Sequence, residues 1–163
     1  MNKQKKIEQE VFEIGFRAKE ASLKVSLLTT QKKNDVLRDA ADNIKKNKDI
    51  IIKQNALDID EHKDNLNSAL LDRLMLDSKR IDGICSGLND IANLEDPIGK
   101  SLGEWNRPNG LKIEKVSIPL GVIGVIYESR PNVAADAAGL CLKSGNTLIL
   151  RGGSESYHSS SKI

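Results

Sequence analysis

KIEKVSIPLGVIGVIYESRPNVAADAAGLCLKSGNTLILRGGS, residues 112–154, is the stretch whose reading decides the fold. An apolar run from Ile118 to Tyr127 is broken by Glu128-Ser129-Arg130-Pro131-Asn132. Small residues in a helical pattern follow from Val133 to Lys143 and stop at Ser144-Gly145-Asn146. A second apolar run, Thr147 to Leu150, ends on Arg151-Gly152-Gly153-Ser154-Glu155. Strand, polar loop, helix, turn, strand and polar loop make a βαβ unit. In open parallel sheets ligands bind beyond the carboxyl ends of the strands, and both polar loops fall there.

Upstream the text is helical. Ile7, Val11, Ile14, Ala18, Ala21, Val25 and Leu28 recur at three- and four-residue steps, one stripe of an amphipathic helix. Thr29-Thr30 breaks it, with Thr30 as the N-cap expected for the next helix. Val36, Leu37, Ala40, Ala41 and Ile44 mark that helix's inner face; Ile51, Ile52, Ala56 and Ile59 mark a third, begun near Asp49. His62 reads as a solvated residue at the polar end of the third helix, and residues 65–68 as a loop. Leu70, Leu71, Leu74 and Leu76 anchor a short segment ended by Asp77-Ser78. Asp77 is expected to cap a helix from Ser78 to Asn93 that turns Ile81, Ile84, Cys85, Leu88 and Ile91 inward. Proline at 97 bars its continuation. Gly99 to Gly110 reads as a surface connection, and the alternation from Lys112 to Ile118 as a half-exposed strand.

The balance of charges excludes several function classes. The 163 residues are 29% charged with a net charge of +2, and acids interleave the bases, so the charge runs are solvated helix faces rather than a nucleic-acid surface. MNKQKKIEQE has cations with no apolar run behind them, unlike a secretory signal. The longest apolar run is far short of the roughly 18 residues that cross a bilayer, so no membrane partner and a cytoplasmic setting are expected. Cys85 and Cys141 make neither a disulfide framework nor metal-ligand spacing. Each lies on an apolar helical stripe, where a thiolate is poorly solvated, so both read as packing rather than as nucleophiles.

Chemistry gathers after the two strands. In Arg151-Gly152-Gly153-Ser154-Glu155 the glycines let backbone N–H groups turn to an anion, and Arg151 offers a planar, permanent cation. An ordinary strand-to-helix turn with a surface arginine accounts for the same residues. Pro119-Leu120-Gly121-Val122-Ile123-Gly124 is not the Gly-x-Gly-x-x-Gly fingerprint; a buried strand tolerating close backbone contact explains it equally. Pro131 disfavours α geometry at Arg130. Asn132 is placed to cap the helix from Val133, and polar donors at such a terminus suit an anionic substrate. Ser156 to Ser161 reads as a frayed end, and His158 among serines makes no triad.

Long words of this sequence resemble the γ-glutamyl phosphate reductase family, a branch of the aldehyde dehydrogenase superfamily. They are RPNGL from Arg107, PLGVIGVIYESRPNV from Pro119, DAAGLCLKSGN from Asp136 and ILRGGSE from Ile149. LLDRLMLDSKRI from Leu70 and Asp96-Pro97-Ile98-Gly99 agree. The resemblance implies an α/β architecture: a helical part over residues 1–110, then at 111–163 the first βαβ of a Rossmann-like cofactor domain. That domain is incomplete, since family members are far longer, and the isolated chain is expected to bare an apolar sheet edge and to be inactive.

The implied activity is the NADPH-dependent reduction of L-glutamate 5-phosphate to L-glutamate 5-semialdehyde in proline biosynthesis, by an enzyme that is a homo-oligomer when full length. A cysteine thiolate, from a later segment, attacks the acyl phosphate, and NADPH reduces the thioester. By the same resemblance Arg151, Ser154 and Glu155 meet the adenine ribose, with Arg151 favouring a 2′-phosphate and hence NADP. Asn132 is the candidate oxyanion donor, and Ser129 and Arg130 the candidate substrate contacts. The alternative is a catalytically inactive remnant or an interaction module, told apart by whether downstream coding sequence holds an asparagine- and glycine-flanked cysteine.

Overall fold

The computed structural model describes residues 3–163. Helices α1 (Lys3–Val25), α2 (Thr30–Lys46), α3 (Lys48–His62), α4 (Ser68–Leu74) and α5 (Ser78–Asn93) come first. Strands β1 (Ser101–Asn106) and β2 (Lys112–Val116) follow as an antiparallel hairpin. Then β3 (Val122–Ile126), α6 (Val133–Lys143) and β4 (Thr147–Arg151) form the βαβ unit, with β3 and β4 parallel and Val122 opposite Thr147. A 3-10 turn, Ser154–Ser156, leads into the single turn α7 (Tyr157–Ser160). The α/β reading, helical part first and βαβ unit second, holds.

Caps and the small-residue helix follow local rules. Asp77 accepts the Arg80 N–H at 2.7 Å, and α5 turns Ile81, Ile84, Cys85, Leu88 and Ile91 into the core. At α2 the cap lies one residue earlier than expected. Thr29 is extended and accepts the Lys32 N–H, while the Thr30 hydroxyl leaves the helix end for Asp96 Oδ2 at 2.7 Å.

One core unites the helical part with the βαβ unit. Leu37, Ala41 and Ile44 of α2, Ile51 of α3 and the inner face of α5 meet Ala135 of α6. Gly139 permits that approach: a Cβ there would lie 3.0 Å from Ile91 Cδ1 and from Leu88 Cδ2. Beneath this seam sits a buried polar knot. Lys33, only 2% exposed, pairs with Asp96 at 2.5 Å and donates to the Lys143 carbonyl at 3.1 Å. The Lys143 amine in turn donates to Asn34 Oδ1 at 2.6 Å and to the Ala92 carbonyl at 2.9 Å. Burial pulls the Lys143 amine below the ordinary lysine value; the Asp96 charge opposes this, and Lys33 and Arg38 add to it.

Several expectations are corrected. The face of α3 is polar where it is deepest: Ile51, Asn55 and Asp58 are buried and Ala56 is exposed. Asn55 can be buried because both ends of its amide are used, donating to the Leu74 carbonyl at 2.8 Å and accepting the Leu76 N–H at 2.6 Å. The serine-rich tail is not frayed. Asp58 accepts the His158 N–H, the Ser159 N–H and the Ser159 hydroxyl at 2.9, 2.8 and 2.5 Å, and Ser156 and Ser159 are fully buried.

Residues 101–106 are a strand rather than a connection, because they pair with β2 instead of burying a side chain. All of β2 is exposed, not half of it. The α1 stripe lies along β4, where the Thr147 hydroxyl donates to the Ala18 carbonyl at 3.0 Å, and Ile7, Val11 and Ile14 remain exposed. Nor is β3 buried. Ile126 is 83% exposed, and nothing stands within 4 Å of where a Gly124 Cβ would be. Among the described residues, no helix is long and apolar enough to cross a membrane.

Two measurements check this account. Lys33→Met takes the counter-charge from half-buried Asp96, leaving it only the Thr30 hydroxyl and the Ile98 N–H, and should cost about 3 kcal/mol in urea unfolding, the lower end for a broken buried pair. Burial pushes the Asp96 carboxyl up, but hydrogen bonds from Lys33, the Ile98 N–H and Thr30, with the Lys33 charge, outweigh it and hold the group below the usual carboxylate range. Its contribution is therefore present above the unfolded value of about 3.9 and is lost as the pH falls from there through the folded value. Asp96→Asn should remove that acid-side loss; an unchanged slope would count against the knot. Asp58→Ala should free α7, read as fast amide exchange at His158 and Ser159 with α5 still protected.

Candidate functional site

The two loops named from sequence open into two clefts at the carboxyl ends of β3 and β4. In the first loop, Ser129 is buried and holds a positive φ of 45°, a conformation that costs a non-glycine residue about 1 kcal/mol or more. With the buried Pro131 behind it, this bend carries the chain from β3 into α6. It also aims Arg130 and Asn132 at a cleft of about 350 Å³ whose other wall is α4 and α5. Asn132 does not cap α6. It is already helical (φ −59°, ψ −27°), and its amide donates to Asp136 Oδ2 at 2.9 Å. The first turn is closed instead by Val133 N–H to the Arg130 carbonyl and Ala134 N–H to that of Pro131.

Two further arginines, absent from the sequence-based list, face this cleft from the helical part: Arg73 and Arg80. Arg80 is consumed locally. It binds Asp72 Oδ1 at 2.7 Å, the Met75 carbonyl at 2.9 Å and the Asp72 carbonyl, locking the bend between α4 and α5. Arg73 and Arg130 have no partner among the described residues. The available signal was the run Asp72-Arg73…Arg80. Nothing local says that it lies against the β3–α6 loop.

The second cleft, about 660 Å³, is lined by Tyr127 and Glu128 after β3 and by Arg151, Gly152, Gly153, Ser154 and Glu155 after β4. All three cofactor candidates thus share one cavity, with Tyr157 added at its rim. Arg151 is exposed and donates to the Gly152 carbonyl at 2.5 Å, which leaves most of its five N–H donors free. Gly153 is bare where Glu155 folds back, since a Cβ there would stand 2.2 Å from Glu155 Oε2. That oxygen is buried and accepts no hydrogen bond among the described residues.

The turn that sets these ends in register is Ser144-Gly145-Asn146. Gly145 takes φ +70° with Pro119 against it, and Asn146 accepts the Gly121 N–H at 2.8 Å while donating to the Ser144 carbonyl at 2.9 Å. Neither cysteine has the setting of a nucleophile. Burial pushes both thiols up, and the Asp82 charge adds to the effect at Cys85. Ser129→Gly should relieve the bend and raise unfolding stability by about 1 kcal/mol; a loss would mean that the Ser129 side chain is needed to hold it.

Comparisons with known proteins agree with this fold. No family model matches the chain. The chain is 52% identical over 152 residues to the γ-glutamyl phosphate reductase of Paramagnetospirillum magneticum, covering 93% of this chain and 36% of that protein. The crystal structure of γ-glutamyl phosphate reductase from Thermotoga maritima superposes with a TM-score of 0.91 at 36% identity, over 94% of this chain and 37% of that one. A probable aldehyde dehydrogenase from Listeria monocytogenes, at 16% identity and a TM-score of 0.63 over 93% of this chain and 31% of its own, shares the fold. The chain spans under two-fifths of the length of the curated relatives it matches. In sequence and in fold the chain matches the N-terminal part of γ-glutamyl phosphate reductases.

Proposed function

We propose that this chain supplies the cofactor contacts and part of the substrate loop for the NADPH-dependent reduction of L-glutamate 5-phosphate to L-glutamate 5-semialdehyde, a step of proline biosynthesis carried out in the cytoplasm. The observation that carries the reading is Glu155 Oε2, a buried acceptor with no donor in the cleft beyond β3 and β4. An unpaired buried carboxylate oxygen is costly. A ribose hydroxyl is a donor of the right kind, and the bare Gly153 is what gives the Glu155 carboxylate room to fold back at this place.

Arg151, at the mouth of the same cleft, pairs with a 2′-phosphate through its planar fork, which favours NADPH over NADH. Ser154 adds a hydroxyl to the ribose. When bound, NADPH supplies the hydride that the reduction requires. In the neighbouring cleft Arg130 holds the phosphate of the acyl phosphate. The Asn132 amide has two N–H groups; one is held by Asp136, and the other donates to the acyl oxygen as negative charge develops there. Asp136 thereby fixes the direction of the donor. The buried, high-pKa thiols of Cys85 and Cys141 leave the nucleophile to residues other than these two.

Titration of the chain with NADPH and with NADH, followed by nucleotide fluorescence, tests this. Arg151→Ala should weaken NADPH by about 1.5–3 kcal/mol, the worth of a charge-assisted hydrogen bond, and NADH far less. Glu155→Gln should weaken both alike. Equal losses for Arg151→Ala would remove the 2′-phosphate role, and failure of the chain to take up either nucleotide would remove the cofactor reading.

A further inference from the structure

We propose that Arg73 of α4 is a specificity-determining residue that takes the α-carboxylate of the amino-acid substrate, opposite Arg130, which holds the phosphate end. The inference rests on the substrate reading given above and extends it to the helical part of the chain.

The first cleft brings three guanidiniums and two carboxylates together, and their hydrogen bonds decide which remain available. Asp72 is taken by Arg80, and Asp136 by Asn132. Arg80 is tied to its own wall by three hydrogen bonds, to the Asp72 carboxylate and to the carbonyls of Asp72 and Met75, and its charge is paired there. That leaves Arg73 and Arg130 as the two cations of the cleft with no protein acceptor among the described residues. They come from opposite walls, Arg73 from α4 and Arg130 from the β3–α6 loop. Two separated, unpaired guanidiniums in a cavity of about 350 Å³ fit a small molecule with an anion at each end. A single anion such as free phosphate needs only one of them.

The assignment of ends follows from the neighbours. Arg130 lies two residues before Asn132, to which the functional reading gives the reacting acyl oxygen, so on that reading the phosphate leaves beside Arg130. Arg73, on the far wall and with no such group near it, takes the charge that does not react. Arg80 acts as a positioning residue, since it pins the bend that orients the end of α4. An acyl phosphate that lacks a distal carboxylate should therefore lose the Arg73 contact and keep the Arg130 contact.

The test uses two probes that differ in the distal anion: L-glutamate, with a carboxylate at each end, and acetyl phosphate, with the acyl phosphate alone. Binding of each to the chain is followed by chemical shift titration. Arg73→Gln should weaken L-glutamate about tenfold or more, the loss of one charge-assisted contact, and change acetyl phosphate less than about twofold. Arg130→Gln should weaken both probes, since the side-chain carboxylate of L-glutamate falls at the same end as the acyl phosphate. Arg73→Lys, which keeps the charge but loses the fork, should fall between wild type and Arg73→Gln for L-glutamate. Arg73 is exposed, so the fold should survive each change, checked by circular dichroism. Equal loss of both probes in Arg73→Gln, an unchanged L-glutamate affinity, or no L-glutamate binding to the wild type would each overturn the assignment. Acetyl phosphate binding lost in Arg130→Gln, together with NADPH binding, would leave the broader functional reading standing in that event.

Discussion

The pairing of Lys33 with Asp96 is the constraint on which the arrangement depends. Asp96 follows α5, Lys33 lies on α2, and the carbonyl that Lys33 also binds ends α6. One ammonium therefore holds three elements at their meeting point. Lys143 closes the same knot from the other side, through Asn34 of α2 and Ala92 of α5. A buried ammonium is tolerated only when it is given polar partners, and each of these lysines has two acceptors. The consequence is positional. The C-terminal end of α6 is tied to the helical core, so its N-terminal end, with Arg130 and Asn132 just before it, is held against α5 and the α4–α5 bend.

The two clefts then follow from the βαβ unit itself. A parallel pair needs a crossover, and the crossover leaves both strand ends on one side. What lines those ends is polar because the chain must turn there, at Ser129 with its positive φ and at the paired glycines after Arg151. The bare backbone at Gly153 is where Glu155 folds back, and that fold leaves one buried carboxylate oxygen without a donor. The second cleft is built almost wholly from two loops, whereas the first borrows a wall from the helices.

Legibility followed the range of the interactions. The Asp77 cap, the Ser78–Asn93 helix and the Val133–Lys143 helix were readable because caps, spacing and turn residues act over a few positions. Both clefts were readable as the loops after two apolar runs. What was not readable depended on partners far away in sequence. Asp58 and Ser159 lie 101 positions apart, so a serine-rich tail looked frayed when a buried carboxylate was holding it. Asn55 and Asp58 looked like the outer face of α3 because hydropathy cannot see the backbone groups that satisfy them. The strand at residues 101–106 carries no burial pattern at all, since it exists through its ladder with β2. Asn132 has the right residue type for a cap, but the turn closed by Arg130 and Pro131 made it helical and passed its amide to Asp136.

The helical part is more than a support for the βαβ unit. A separable support would meet α6 through an incidental contact. Here Gly139 lets α5 approach to the limit of side-chain contact, and Ala135 belongs to the same cluster as Leu37 and Ile51. A shared, close-packed seam transmits position, because neither side can shift by a fraction of an ångström without opening a void or a clash. That rigidity would let a cation on α4 and another on the β3–α6 loop act on one small molecule. Two charges on independently moving walls would meet a ligand one at a time, whereas two on one core present a fixed spacing. A fixed spacing can discriminate an anion at each end from an anion at one.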